Sequence, residues 1–361
     1  MDAIQKSLLA QVSGLHDIPE GAYNIRSNGQ AAGRRSTAHI EITPKDDLPG
    51  IDIRILPGTK NESVHIPVIL SQSGLKDTVY NDFFVAEGCD VTIVAGCGIH
   101  NDGAATSEHS GIHTFHVGKN ARVRYIEKHY GEGDGNGENI MNPSTIVELD
   151  EGAYMEMETA QIKGVDSTLR STRATLGKGA TLVIHEKIMT HGKQTAQTSF
   201  QVDLDGENSS MQMETVQIRG IDSTKRETDF FCEAGSEVVV TERLLTHGSQ
   251  TAESDMNIQL NGHDAKGRVI SRSVAQDQSH QVFRPVMVGN AQCFGHVQCD
   301  SIIMGQAKIE SVPAITANCP DAQLIHEAAI GKIAGDQLLK LETLGLTEEE
   351  AEDTILKGFL A

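Results

Sequence analysis

Short segments in which apolar and polar residues alternate run through most of the chain and are separated by glycine-containing turns. Three of them are residues 122–126 (RVRYI), 181–184 (TLVI) and 237–240 (EVVV). Alternation combined with β-branched residues predicts strands with one buried face. Seven turn clusters between 118 and 291 end 26 to 32 residues apart. The pattern therefore predicts strands repeated at a nearly constant spacing.

An internal repeat strengthens this prediction. Residues 158–168 (ETAQIKGVDST) recur as residues 214–224 (ETVQIRGIDST), and the offset of 56 also relates residues 190–192 to 246–248 without a gap. Turn-and-strand units of about 28 residues are typical of a β-solenoid, in which each coil stacks on the next at about 4.8 Å. A β-sandwich with coincidental spacing is the alternative, but sandwich strands have no reason to keep one period.

The two ends of the chain differ from the repeats. Residues 2–13 predict a short helix, and a connector follows, so residues 1–35 form an N-terminal segment. Residues 36–317 form the predicted β-helical core, and residues 318–361 a C-terminal helical segment. Residues 347–350 (TEEE) provide a capping box for the last helix. One apolar stripe of helical spacing comprises Ile330, Ala334, Leu338 and Leu341.

Composition and charge exclude several classes of protein. The chain of 361 residues has 50 acidic and 30 basic residues, a formal net charge of −20, which disfavours binding to nucleic-acid phosphates. Neither a secretory signal nor an apolar run of about 18 residues is evident, so we expect no membrane segment and a cytoplasmic protein. The six cysteines form no CxxC pair, which predicts free thiols rather than a disulfide scaffold or a zinc knuckle.

The sequence lacks the phosphate-binding loop GxxxxGK[ST], because Gly192-Lys193 is followed by glutamine and Gly118-Lys119 by asparagine. We therefore expect no ATPase activity of that type in this chain.

Several histidines are candidate metal ligands. His109, His113 and His116 would share one face of a helix, whereas on a strand His116 would point away from the other two. A local metal site and a structural role both remain open for this group. His191 and His247 occupy equivalent repeat positions, but two coils would separate them by about 9.6 Å, so they are interpreted as turn residues.

The C-terminal third combines three further candidate ligands. Cys299 lies in a predicted strand, and His326 and Glu327 lie where the solenoid is expected to pass into helix, with Glu327 near a helix N-terminus. Thiolate, imidazole and carboxylate together suit iron, although a buried structural thiol is the alternative for Cys299. Cys293 and Cys319 lie nearby in the sequence without an assigned role.

Residues 295–305 (GHVQCDSIIMG), 324–359 (LIHEAAIGK and onward) and 267–279 (GRVISRSVAQDQS) resemble the SufB/SufD family, the β-helical scaffold subunits of the SUF iron–sulfur cluster assembly machinery. The resemblance implies a right-handed parallel β-helix with short helical ends. It also implies that the C-terminal helices bind a SufC-like ABC ATPase and that a transient iron–sulfur cluster forms where two β-helices meet.

By this resemblance the essential cysteine corresponds to Cys299, the glutamate to Glu327 and the functional histidine to His326. The chain resembles the short form found in minimal systems. Because it carries all three residues, we expect a homodimer, with a SufB/SufD paralogue as the alternative partner. Cluster type, sulfur donor, acceptor apo-proteins and flavin involvement are left open.

Two other classes of protein are alternatives. A β-helical carbohydrate-active enzyme would use paired carboxylates, but the acidic surface would repel polyuronates and the chain has only 14 aromatic residues for sugar stacking. A purely structural solenoid would carry no site. We expect a scaffold protein rather than an enzyme.

Overall fold

Most of the alternating segments form strands that wind as a parallel β-solenoid. The structure, a computed structural model, describes residues 1–189, 192–217 and 221–361. Strands account for 60% of it and complete about nine turns, with three short helices. Each full coil contributes one strand to each of two facing sheets. The predicted β-solenoid is therefore confirmed.

The first sheet has twelve strands. In spatial order they are β2 (Gln30–Arg35), β1 (Ala22–Ser27), β5 (Glu62–Leu70), β7 (Asp90–His100), β9 (Arg122–Glu132), β12 (Tyr154–Lys163), β14 (Thr181–Ile188), β16 (Ser210–Gln217), β18 (Glu237–Thr246), β20 (Ala265–Ala275), β22 (Cys293–Ile303) and β25 (Gln323–Gly331). All neighbours pair in parallel except the β1–β2 hairpin.

The second sheet has thirteen strands and faces the first. In spatial order they are β3 (Ile40–Pro44), β4 (Gly50–Ile55), β6 (Lys76–Val85), β8 (Ser107–Val117), β10 (Asn139–Met141) with β11 (Ser144–Leu149), β13 (Ser167–Leu176), β15 (Gly192–Leu204), β17 (Ile221–Cys232), β19 (Thr251–Leu260), β21 (His280–Gly289), and β23 (Lys308–Ser311) with β24 (Ala314–Ala317). Here only β3 and β4 are antiparallel.

Alternate residues of each strand face the space between the sheets. In β8, for example, every second side chain is buried from Ser107 to Val117. The largest apolar cluster runs through this interior from Ala22 to Cys299. Burying one such aliphatic or aromatic side chain contributes about 1.5–3 kcal/mol, so the continuous core is the main source of stability.

The turns repeat a left-handed backbone conformation once per coil, at residues that tolerate it. These residues are Asn120, Gly152, Gly179, Asn208, Gly235 and Asp264. At Gly152 and Gly235 a Cβ atom would also collide with the side chain of the asparagine in the preceding coil. The residue types in the predicted turn clusters are thus explained by backbone conformation and close stacking.

Three helices lie at the ends of the chain. α1 (Ala3–Ser13) begins with a capping box and packs Leu8, Leu9 and Val12 onto the outer face of the first sheet, as the sequence predicts for a terminal helix. α2 (Gly335–Thr343) and α3 (Glu348–Phe359) follow the last strand. The predicted capping box of α3 is present between Thr347 and Glu350. No helix in the described ranges is both long and apolar enough to cross a membrane.

Strands extend beyond the boundaries that the sequence pattern suggests. β1 and β2 lie within residues 1–35, and β25 lies within residues 318–361. The expected helical stripe therefore begins too early, because Ile330 belongs to β25 and α2 starts only at Gly335. Pairing with β22 extends the coil by one strand, which local spacing does not reveal.

The last coil leaves one end of the solenoid uncovered, and we call β23, β24 and β25 the open end. β25 is the final strand of the first sheet, and β23 with β24 ends the second. Most residues of β24 and β25 are exposed, and several large apolar side chains lie on this end. These side chains are Val312, Ile315, Ile325 and Ile330.

Candidate functional site

Cys299 and His326 meet inside the last coil. Cys299 lies on β22 with its side chain turned inward and only 2% of the residue exposed. His326 lies on the neighbouring β25 opposite Val297, so its ring points to the same interior. The Cys299 Sγ atom is 3.8 Å from the His326 Nε2 atom. The structure thus brings together two of the three predicted site residues.

Glu327 lies on the opposite face of β25. It pairs in register with Gln298, its side chain is 65% exposed, and its Oε2 atom lies 3.5 Å from the Nε2 atom of His296. His326 and Glu327 both belong to a strand, so the expected passage into helix comes later in the chain than these residues. Neighbouring strand residues point to opposite faces, so one protomer cannot direct both side chains to one point.

Burial controls the chemistry of the Cys299 thiol. It raises the pKa of Cys299 to about 11, while the hydroxyl of Ser311 on β23 counteracts part of the increase. The thiol is therefore protonated at neutral pH and a weak nucleophile. A metal ion that bound to the sulfur would stabilise the thiolate and release the proton. The thiol is therefore unreactive in the absence of a bound cation.

A buried polar row leads along the interior of the first sheet to Cys299. Its members pair in register from β9 to β22 and are all buried. The row consists of Glu127, Thr159, Glu186, Thr215, Glu242, Ser271 and Cys299. The Ser271 hydroxyl donates to the Glu242 carboxylate over 3.4 Å. Cys299 therefore ends a polar row that crosses an otherwise apolar core.

Two arginines from the facing sheet neutralise the carboxylates of this row. The Arg170 Nη1 atom lies 2.9 Å from Glu127 Oε2, and Arg226 binds both Glu186 and Glu242, the latter at 2.8 Å. Burial by itself would raise the pKa of Glu127, but Arg170 and His129 outweigh it and hold the pKa well below its usual range. Each buried charge thus has a partner of opposite sign.

The internal repeat of the sequence contains a pattern that corresponds to this row, although the pattern matches no ligand motif. The 56-residue offset that relates the two repeats also relates Arg170 to Arg226 and Glu186 to Glu242. Charged residues at equivalent repeat positions are ordinarily interpreted as surface residues. Only the register of the coils shows that these charges face the interior.

The other histidine candidates divide as strand geometry predicts. His109 and His113 are buried on β8, whereas His116 faces outward, stacks on Phe84 and pairs with Glu148. His247 lies at a turn, in agreement with its interpretation, and its backbone NH binds Gln250. His191 lies outside the described residues.

The two other cysteines near the site still have no assigned role. Cys293 opens β22, where burial raises the pKa of its thiol, and Cys319 is half-buried in the turn before β25.

Within the ranges that the structure describes, no three His, Cys, Asp or Glu side chains are placed to hold a metal ion. Cys299 and His326 are two donors of types that bind iron. Two donors do not complete the coordination of an iron–sulfur cluster, so any cluster would need further ligands. The site therefore has the composition of a half-site next to an exposed end.

The fold and the site together define a class of protein. Its members are parallel β-solenoids with a thiol–imidazole pair in the last coil, next to an uncovered end. Residues 207–359, which include this coil and both C-terminal helices, match the family described as "SUF system FeS cluster assembly, SufBD core domain". This match supports membership of the SufB/SufD family and, with it, a part in iron–sulfur cluster assembly.

Relatives from archaea agree with this assignment. The chain is 24% identical over 298 residues to an iron–sulfur cluster assembly SufBD family protein of Methanocaldococcus jannaschii, covering 82% of this chain and 76% of that protein. It is 26% identical over 320 residues to one of Archaeoglobus fulgidus, covering 87% and 69%. A shorter match to one of Pyrococcus horikoshii is 38% identical over 103 residues, covering 28% and 23%.

Proposed function

We propose that the chain is a non-catalytic scaffold on which an iron–sulfur cluster is assembled as cargo. The observation that carries this proposal is the 3.8 Å approach of Cys299 Sγ to His326 Nε2 beside the open end. The cysteine supplies a thiolate for iron or sulfur, and the imidazole supplies a borderline ligand. The cluster is transient, is built from separate iron and sulfur donors in the cytoplasm, and passes to apo-proteins.

A second β-solenoid subunit completes the site. β25 is an edge strand with unpaired backbone groups, and the exposed Ile325 and Ile330 lie along it. An edge of this kind is a template for pairing with another chain. Because one protomer offers both Cys299 and His326, a homodimer supplies two half-sites, and Glu327 reaches the cluster from its outward position only through the partner. A SufB/SufD paralogue is the alternative partner.

An ABC ATPase of the SufC type binds the C-terminal helices in this proposal. α2 exposes Leu339, and Leu344 directly after α2 is also exposed, whereas α3 packs Leu356 against Val274 and Ile302. Ile302 belongs to β22, the strand that carries Cys299. A movement of the helices driven by ATP would therefore act on the strand of the site. This coupling requires two discrete states of the last coil.

The site is tested by anaerobic reconstitution of the full chain with Fe²⁺ and sulfide. We expect the wild-type protein to gain the visible absorbance of an iron–sulfur cluster and Cys299→Ser to lose it, because serine replaces the thiolate ligand. Circular dichroism and thermal unfolding of the variant should match the wild type. Cys293→Ser on the same strand is the control and should still gain the chromophore; a chromophore of normal intensity in Cys299→Ser would refute the site. A carbohydrate-active enzyme or an inert solenoid would gain no chromophore.

The ATPase interface is tested by a charge on α2. Leu339→Asp should abolish co-purification with the SufC-like ATPase, because a desolvated carboxylate opposes docking on an apolar surface. It should still acquire the cluster chromophore in vitro. Leu48→Asp, at another half-exposed leucine far from the helices in sequence, is the matched control. Retention of the ATPase by Leu339→Asp would exclude α2 as its binding surface.

A further inference from the structure

A second group of metal-ligand side chains lies in the N-terminal half of the solenoid. His109 and His113 on β8 face Cys97 on β7 and His129 on β9 across one enclosed cavity of about 20 Å³. Cys97 and His129 are direct neighbours in register. All four residues are more than nine-tenths buried. We call this space the histidine cavity; in the first sheet, five strands separate β9 from the β22 strand of Cys299.

Gly111 creates the space between the two histidines of β8. A Cβ atom at this position would lie 2.9 Å from His113 Nε2 and 3.5 Å from His109 Nε2. Both nitrogen atoms therefore face the same small volume. A cavity of this size admits one particle of about the dimensions of water, so any ligand is a single atom or a single water molecule.

A hydroxyl group lies behind the ring of His113, and a carboxylate lies behind the ring of His109. His113 Nδ1 lies 3.4 Å from the Tyr125 hydroxyl, which donates to Glu127 over 3.0 Å. His109 Nδ1 lies 3.8 Å from Asp77, which Arg26 holds in place. Carboxylates and hydroxyls behind the ring commonly fix the orientation of histidine ligands and tune their basicity.

An unpartnered polar atom also points to a ligand. The Nδ1 atom of His129 is buried without a hydrogen-bond partner, which is costly in a protein interior. The nearby carboxylates of Asp77 and Glu127 are already paired with Arg26 and Arg170.

We propose that the histidine cavity binds one divalent first-row transition-metal ion through His109 Nε2 and His113 Nε2, with His129 and Cys97 as the further ligands. Only the first two nitrogens face one point, so the described side chains form no three-donor site as they stand, and binding requires His129 and Cys97 to rotate toward that point. Three imidazoles and one thiolate form a four-coordinate set suited to Zn²⁺, Co²⁺ or Fe²⁺. Binding releases the Cys97 thiol proton to solvent, which lowers the net charge brought into the core.

The test titrates Co²⁺ anaerobically into the full chain carrying Cys299→Ser, which removes the C-terminal thiol. We expect one equivalent to bind, with visible d–d bands and a near-ultraviolet thiolate band. His113→Gln should weaken binding by roughly 100-fold or more, since changes behind the ligands by themselves cost about 10–100-fold. Gly111→Ala should do the same while keeping every ligand, because its methyl group fills the cavity.

The control is His116→Gln, on the same strand but facing outward, which should bind Co²⁺ normally. Should His113→Gln not fold, Cys97→Ser decides: it should keep the d–d bands and lose the thiolate band. The proposal is overturned if the Cys299→Ser chain binds no Co²⁺, if Gly111→Ala binds as tightly as His116→Gln, or if the spectrum of Cys97→Ser is unchanged. Because Cys299 is absent throughout, these results are independent of cluster assembly.

Discussion

At the scale of the residue, the alternation of a strand assigns adjacent side chains to different environments. His326 faces the interior beside Cys299, whereas Glu327 faces solvent beside His296. A shift of one position would exchange the two roles. The predicted ligand trio is therefore a pair within one protomer, with an acid on the other side of the strand.

This division predicts different effects for neighbouring substitutions. Glu327→Ala should change the free energy of unfolding by less than about 0.5 kcal/mol, because its ion pair is largely exposed. His326→Ala should weaken iron retention in the reconstituted protein on the order of tenfold or more, as loss of a ligand requires. Urea unfolding and iron titration measure the two quantities. Equal iron retention in His326→Ala and the wild type would remove the imidazole from the site.

At the scale of the element, the facing strands share a buried network of charges. Arg226 on β17 bridges Glu186 on β14 and Glu242 on β18, so it ties one strand of the second sheet to two strands of the first across the interior. Buried ion networks of this kind contribute little net stability but are costly to break. They also favour one register, because a slipped coil would leave each charge without its partner.

Arg226→Met should therefore destabilise the chain by about 3–5 kcal/mol, since it leaves two buried carboxylates unpaired. Combining it with Glu186→Gln and Glu242→Gln should restore most of the lost stability, because the uncompensated charges are gone. Urea denaturation followed by circular dichroism gives both values. A single Arg226→Met variant with the wild-type midpoint would show that the network is not required.

At the scale of the whole molecule, the solenoid is protected at one end and open at the other. α1 and the antiparallel hairpins of β1–β2 and β3–β4 lie at the N-terminal end. At the opposite end β25 presents an unpaired edge with exposed isoleucines. Solenoids require covered ends to remain soluble as single units, so the uncovered end supports the proposed association with a second subunit.

Association through this edge predicts the effect of a single charge. Ile325→Lys should convert the proposed dimer to a monomer, because lysine on an edge strand opposes strand pairing. Ile146→Lys, at a similarly exposed isoleucine on β11 in the middle of the solenoid, is the control and should remain dimeric. Light scattering coupled to gel filtration measures the masses. A dimeric Ile325→Lys protein would place the interface elsewhere.

The repeat and the alternation of residues determined the architecture, because the side-chain period of two and the recurring turns are local properties of the chain. The 56-residue offset was enough to predict stacked coils, and residues 347–350 were enough to predict the start of α3. The residue types and the resemblance to the SufB/SufD family identified Cys299 and His326 as candidate ligands.

Only the tertiary structure decided which of these side chains meet. β25 resembles a helix in its spacing and becomes a strand because its backbone groups pair with β22. The histidine cavity joins residues of β7, β8 and β9, and the polar row joins residues of seven coils, none of which is adjacent in sequence. Such contacts depend on the register between coils, which long-range pairing and packing determine and a local pattern does not contain.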